Sequence, residues 1–553
     1  MKGFSNKTVY QIYPKAYKDS NGDGIGDLNG VIEKLDYLKE LGVDYIWLTP
    51  FYKSPQNDNG YDIADYYSVD RIFGSMEDFE KLVYEGKKRN IYIMLDMVFN
   101  HTSTDHPWFQ AALKGDEKYK NYYIFKKGSG NNPPTNWESK FGGNAWEYVE
   151  ELGEYYLHLF DVTQADLNWE NPELREEIYK VVRFWMDKGV KGFRLDVINL
   201  ISKPDIYEND YEGDGRRFYT DGPRIHEYLK ELNKNTFALG EDIITVGEMS
   251  STSIDQCVKY ANPEEKELSM VFNFHHLKVD YKNGEKWSIM DFDFMQLKEI
   301  LSQWQTGMQE HNSWNALFWG NHDQPRTVSR FGTEGEYYEK SAKMLATCQL
   351  LMRGTPYIYQ GEEIGMTNAD FENIDRYRDV ESLNYYKILK ERGVSEDEII
   401  NILKIKSRDN ARTPMQWDDS VNGGFSKSTP WIDSAKSYSR INAKSQINNP
   451  DSIFNYYKDL IKLKKNNEII SDGEIEFVLQ ENTKVLAYLR KYEGEKVLVV
   501  CNFYGEETEI EVDKNIFDLN NSKKLIGNYK NQIKEENKIS LRPYETTAYI
   551  IEK

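Results

Sequence analysis

The feature that most restricts what this chain can fold into is an eightfold alternation. Short β-rich runs occur at TVYQIYP (8–14), VDYIWLTPF (43–51), IYIMLDMVFN (91–100), GFRLDVI (192–198), IITVGEM (243–249), SMVFNF (269–274), NALFWGNHD (315–323) and TPYIYQGEE (355–363). Segments of helical period separate them, among them GVIEKLDYLKELG, MEDFEKLVYEGKKR and ELREEIYKVVRFWMDKG. Strands alternating with helices build parallel sheets. A count of eight predicts an α/β fold closed into a (β/α)8 TIM barrel, with a doubly wound open sheet as the competing reading.

Two intervals are too long for a single helix. The stretch from Asn100 to Gly192 has a centre, KKGSGNNPPTNWESKFGGNAWEYVEEL, rich in Gly, Asn and aromatics, which predicts a small inserted domain over 101–169 after the third strand. The second, from about 366 to 450, holds the helical stretch ESLNYYKILKERGVSEDEIINILKIKS and then RDNARTPMQWDD. After about residue 475 the pattern changes to alternating runs (EIEFVLQ, VLAYLRKY, KVLVVCNFY, ETEIEV, TTAYIIE). That predicts a C-terminal antiparallel β-sandwich over 475–553, leaving 1–100 and 170–474 to the barrel. No internal repeat or low-complexity segment interrupts the chain.

A formal net charge of −21 over 553 residues makes nucleic acid and anionic membranes poor partners. Cys257, Cys348 and Cys501 are far apart without metal-type spacing, which reads as buried thiols in a reducing compartment. MKGFSNKTVYQIYPKAY lacks an apolar run of signal-peptide length, and no later stretch has the length and apolarity of a membrane span. The expectation is a soluble, cytoplasmic monomer.

Polar residues gather where the strands end, which in a barrel of this kind is where the chemistry sits. The third strand carries Asp96 and runs out through Asn100 and His101. The fourth carries Arg194 and Asp196, the fifth ends in Glu248, and the seventh ends in Asn321, His322 and Asp323. Arg194 and Asp196 are two apart, hence on one face of a strand whose other residues are apolar. A buried charge costs several kcal/mol unless paired or used. Glycosidic bond cleavage would use it, since it needs one carboxylate as an attacking anion and another as a protonated acid. Arg194 would keep Asp196 ionised, and the apolar run before Glu248 would raise that carboxyl toward a useful acid. Asp323 would stabilise positive charge developing on the sugar.

DMVFNH, GFRLDVIN, TVGEM and WGNHDQPR, in that order, resemble the four conserved regions of the α-amylase family of retaining glycoside hydrolases. QADLNW (164–169) is similar to that family's additional motif, with Ala where many relatives have Pro. The resemblance implies Asp196 as nucleophile, Glu248 as acid/base and Asp323 as transition-state stabiliser. It also implies Asp62, His101, Arg194, His322 and Arg412 as binders of the cleaved sugar. Val197 resembles the exo-acting α-glucosidases that do not prefer α-1,4 bonds.

GEMSSTS and FNFHHLKVDYKNGEKW resemble the members that hydrolyse trehalose 6-phosphate to glucose and glucose 6-phosphate, where oligo-1,6-glucosidases carry GEMPG and acidic residues. His275, Lys278 and Lys286 are the phosphate-binding candidates, since a phosphate near two negative charges requires cationic donors. Ordinary solvated surface lysines are the competing reading. The alternative substrates are isomaltose-type ends, and a transglycosylating isomerase or a catalytically inactive sugar-binding relative are further alternatives.

DSNGDGIGD (19–27) matches the opening of an EF-hand loop, but its twelfth position is Gly30 rather than Glu. The resemblance implies a structural Ca²⁺ or Mg²⁺ held by Asp19, Asn21, Asp23, the Ile25 carbonyl and Asp27. No cofactor is expected for catalysis.

Overall fold

The computed structural model describes residues 3–130, 132–531 and 533–552. Eight parallel strands form one sheet: β1 (Val9–Ile12), β2 (Tyr45–Leu48), β3 (Tyr92–Val98), β4 (Gly192–Asp196), β5 (Ile244–Glu248), β6 (Met270–Phe272), β7 (Ala316–Leu317) and β8 (Thr355–Tyr359). β1 pairs with both β2 and β8, and β7 pairs with β8. A parallel bridge from Val271 to Asn315 joins β6 to the residue before β7. The sheet therefore closes on itself, which excludes the doubly wound alternative. Each run read from the sequence contains one of these strands.

The strands are buried on both faces, as helix-covered parallel strands must be. The helices between them have one apolar stripe. Met76–Lys88 begins with a Ser75/Asp78 capping box and buries Phe79 and Leu82. Pro172–Asp187 starts with Pro in its first turn and turns Leu174, Ile178, Val181, Val182 and Trp185 inward. GVIEKLDYLKELG forms two short helices, Leu28–Glu33 and Leu35–Leu41.

After β3 the chain leaves the barrel. Short helices at Pro107–Leu113 and Glu117–Lys120 precede a three-stranded antiparallel sheet of Phe125–Lys126, Trp146–Val149 and Glu154–Leu157. Gln164–Asp166 then pairs antiparallel with His101–Ser103, so QADLNW returns the chain beside the end of β3.

At the C-terminus, Glu474–Val478, Val485–Tyr492, Glu495–Asn502, Thr546–Ile551 and Lys523–Gly527 make a five-stranded sheet, faced by a three-stranded one of Thr508–Glu511, Lys538–Leu541 and Ile533–Glu535. Val485, Leu498, Ile510, Phe517 and Ile539 fill the space between the sheets. The opposite face, with Leu486, Tyr488, Val499 and Cys501, joins the barrel's own core. All three cysteines are buried and unpaired. Among the described residues no helix is long and apolar enough to cross a membrane.

Candidate active site

A cavity of about 270 Å³ opens at the C-terminal ends of the barrel strands. Its floor is acidic: Asp196, Glu248, Asp323 and Asp58 line it, with His101 and Tyr61. Phe141, Phe160, Phe274 and Tyr281 form apolar walls, and Lys140, Lys278, Lys286 and Arg408 complete the lining with positive charge.

Strand register explains the charged pair inside β4. Arg194 lies directly across from Asp96 on β3, so both side chains project into the barrel. Arg194 Nη1 donates to Asp96 Oδ1 and to Asp196 Oδ1, each at 2.6 Å, and its Nη2 donates to Glu248. Asp96 is anchored from its other oxygen by Trp47 Nε1 (3.0 Å) and the Tyr61 hydroxyl (2.9 Å). One buried guanidinium thus holds three carboxylates. Asp196 and Glu248 sit on the two terminal nitrogens of that fork.

Charge balance follows from that count. Burial, then the neighbouring Glu248 and Asp96, push Asp196 well above the usual carboxylate range against the pull of Arg194. Burial likewise raises Asp96 to about 6. Asp196 is therefore pushed toward its protonated form by the carboxylates around it. The sequence supplied only the Arg194 half of this balance.

The residue after Asp196 is strained. Val197 has φ +36° and ψ +39°, a left-handed conformation that a β-branched residue rarely adopts. The turn directs its N–H to Glu248 Oε2 at 3.3 Å and places Val197 on the cavity wall. Strain of this kind gathers at functional sites.

Across the cavity, Asp323 belongs to a second cluster. Its Oδ1 accepts from Arg412 Nη2 (2.7 Å) and Arg408 Nη1 (3.3 Å). Both arginines also reach the buried Asp379. Burial alone would raise Asp323, but His322, Arg408 and Arg412 together carry it well below the usual range. His322 lies behind it: Gln11 Nε2 donates to its Nδ1 at 2.8 Å, which leaves the proton on Nε2, 3.4 Å from Asp323 Oδ2. Burial keeps the ring neutral, with its pKa lowered to about 3, and Tyr61 stacks on it at 5.2 Å. His101, also neutral and lowered to about 4 by burial, is wedged between Asn100 and Gln164.

Several expected binders stand elsewhere. Asp62 is fully buried and its carboxylate accepts from the Ser54 hydroxyl and the N–H groups of Asn57 and Asp58. It shapes the 54–58 loop and does not line the cavity. The carboxylate there is Asp58, bonded to Arg408 (3.2 Å) and Gln164 (3.1 Å) and pushed up to about 7 by burial. Asp62 is thus corrected to Asp58. Arg194 and Arg412 act from behind the carboxylates, while Arg408, four residues before Arg412, lines the cavity.

Of the phosphate candidates, Lys278 and Lys286 line the cavity, and Lys286 Nζ is paired with Glu381 Oε2 at 2.7 Å. The His275 ring packs on Trp304 at 4.9 Å and is not part of the cavity lining. Lys140 was missed, because a lysine inside a Gly- and Asn-rich insert has no pattern to mark it.

The 19–27 loop is closed by its own hydrogen bonds. Asp19 accepts from the N–H groups of Asn21, Gly22 and Gly24 and from Ser426 Oγ. Asp23 bonds Asn21 and Ile25, and Asp27 caps the Leu28–Glu33 helix through Gly30 N. Among the described residues no three His, Cys, Asp or Glu side chains converge as a metal cage. As arranged, these oxygens accept from amide and hydroxyl groups of the loop and of Ser426.

Comparison with known proteins decides the family. The alpha-amylase catalytic domain matches residues 11–473, and the C-terminal domain of the alpha-amylase SusG matches 485–547. The chain belongs to the alpha-amylase family. It is 56% identical to a trehalose-6-phosphate hydrolase of Bacillus subtilis, over 99% of this chain and 97% of that one. It is 49% identical to an oligo-1,6-glucosidase of Bacillus cereus over 99% of each. The crystal structure of the Bacillus licheniformis trehalose-6-phosphate hydrolase superposes with a TM-score of 0.96 at 56% identity, covering 99% of both chains. An Escherichia coli trehalose-6-phosphate hydrolase is 50% identical, so identity alone separates the two named activities narrowly.

Proposed function

We propose that this protein hydrolyses trehalose 6-phosphate to glucose and glucose 6-phosphate with retention of configuration. The observation that carries the reading is the polarity of one cavity, a carboxylate floor for a neutral glucosyl unit and lysines in the same lining for a phosphate. In this reading Asp196 attacks the anomeric carbon while Glu248, acting as the acid, delivers a proton to the glycosidic oxygen, and glucose 6-phosphate leaves. Glu248 then takes a proton from water, which attacks the glucosyl–Asp196 ester and releases glucose. Asp323, kept anionic by Arg408 and Arg412, faces the positive charge developing at the anomeric carbon. Asp58 and His101 hold the glucosyl hydroxyls, and Arg194, Arg412 and His322 position the carboxylates.

Glucose release from trehalose 6-phosphate, trehalose and isomaltose at one low concentration tests the reading. A preference of about a hundredfold for the phosphorylated sugar is expected, the worth of one or two charged hydrogen bonds. Equal or faster cleavage of isomaltose would make the protein an oligo-1,6-glucosidase. The Lys286–Glu381 pair favours that second reading, because it neutralises one of the lining lysines.

A cytoplasmic location and a monomeric state belong to the same proposal, as fits a phosphorylated substrate. So does a Ca²⁺ or Mg²⁺ on the 19–27 loop, supported by three carboxylates within nine residues. Its test is thermal: the melting temperature should rise with added Ca²⁺ and fall with chelator, and an unchanged value would remove the ion.

A further inference from the structure

The cations lining the cavity are not equivalent. Lys286 is balanced by Glu381, and Arg408 is divided among Asp323, Asp58 and Asp379. Lys140 and Lys278, by contrast, make no ion pair within 4 Å among the described residues, and the Lys140 ammonium meets only the Ser250 hydroxyl, at 3.3 Å. Burial, then the positive Arg216, lower Lys140 to about 8 against the pull of Asp214, with Lys278 adding to the lowering. Two ammonium groups without a direct ion pair, lining one cavity, form a ready receptor for a dianion.

Lys140 is also held in place. Its N–H donates to Leu159 O at 2.9 Å, the turn closes through Ser139 N to Gly143 O at 2.9 Å, and Ser139 Oγ donates to Phe160 O at 2.6 Å. Its side chain lies over the Tyr219 ring at 5.6 Å. Ser250 follows Glu248 by two residues, so Lys140 stands on the side of the acid, where the leaving sugar departs.

We propose that Lys140, supplied by the segment inserted after β3, is the specificity-determining cation that clamps the leaving sugar's phosphate together with Lys278. The inference rests on the function proposed above and deepens it. A fixed turn presents the charge, the Ser250 hydroxyl orients it, and the phosphate replaces the missing counter-charge. A neutral disaccharide gains nothing from this arrangement, so the clamp discriminates between substrates without touching the reacting bond.

The experiment compares kcat/KM for trehalose 6-phosphate and for trehalose in the wild-type protein and in Lys140→Gln, Lys140→Arg, Lys278→Gln and Lys286→Gln. The ratio of the two should fall about 30-fold in Lys140→Gln, the factor a charged hydrogen bond carries, mainly through KM. Lys140→Arg should recover most of it. Lys278→Gln should lower the ratio similarly and Lys286→Gln less, since its charge is already balanced. Wild-type discrimination that survives Lys140→Gln overturns the clamp and leaves the proposed function standing. A wild-type protein with no preference for the phosphorylated sugar overturns both. Should Lys140→Gln fail to melt cooperatively, Lys140→Arg and Lys278→Gln carry the test, and an unchanged ratio in Lys278→Gln counts against the clamp.

Discussion

The two sides of the cavity floor are built from the same residue types in different proportions. Around Arg194, one guanidinium serves Asp96, Asp196 and Glu248. Around Arg408 and Arg412, two guanidiniums share Asp323, Asp379 and Asp58. The first cluster is short of positive charge, and Asp196 is raised there. The second has enough to keep Asp323 and Asp379 well below the usual carboxylate range despite their burial. Burial is common to both, so the neighbouring charges decide that Asp196 is raised while Asp323 and Asp379 are lowered.

The largest expected effect breaks the first cluster. Asp196→Asn should lower kcat on the order of 10⁴-fold or more while melting and circular dichroism stay near wild type. Residual activity within tenfold would reject Asp196 as nucleophile. Glu248→Gln should be nearly as severe on a disaccharide but much milder on an aryl glucoside whose leaving group needs no proton. Equal losses on the two substrates would deny Glu248 the acid's role.

A smaller effect should separate Asp58 from Asp62. Asp58→Asn should reduce kcat/KM by about 10²-fold, as expected for one or two charged hydrogen bonds. Asp62→Asn should act mainly on the loop, lowering the melting temperature because the N–H groups of Asn57 and Asp58 lose a charged acceptor. Reversed phenotypes would restore Asp62 to the sugar site.

The smallest effect is on pH dependence. The proposed mechanism requires one proton on the acid, so the alkaline limb of kcat/KM reports its loss. Asp96 raises Asp196, so Asp96→Asn removes a negative neighbour and should move that limb down by about one unit. On the other side, Arg412→Met removes a charge that lowers Asp323, so the acid limb should move up. Shifts of the opposite sign would refute the charge-ratio argument.

Much of this was legible in the chain. The strand count required only hydrophobic period, and the spacing of Arg194 and Asp196 placed both on one face because strand geometry repeats every second residue. The inward carboxylates Asp196, Glu248 and Asp323 could be read in the same way. The errors share a cause. Asp58 and Asp62 lie in one loop, QNDNGYD, where no period dictates direction. Arg408 precedes and Arg412 ends a short helix, Asp409–Arg412, and nothing in RDNARTP distinguishes the arginine facing the cavity from the one behind it.

The sequence by itself determined the closed barrel, the sandwich that follows it and the carboxylates of the floor, since these depend on local periodicity and on strand ends. Only the tertiary structure decided the charge each one carries. Arg194 is shared with Asp96 from 98 residues earlier in the chain, Lys286 is neutralised by Glu381 from 95 residues later, and Lys140 comes within reach of Ser250 across 110 residues. Protonation and charge availability are properties of such assembled neighbourhoods, because Coulomb energy in a desolvated cavity depends on distance in space rather than on separation along the chain.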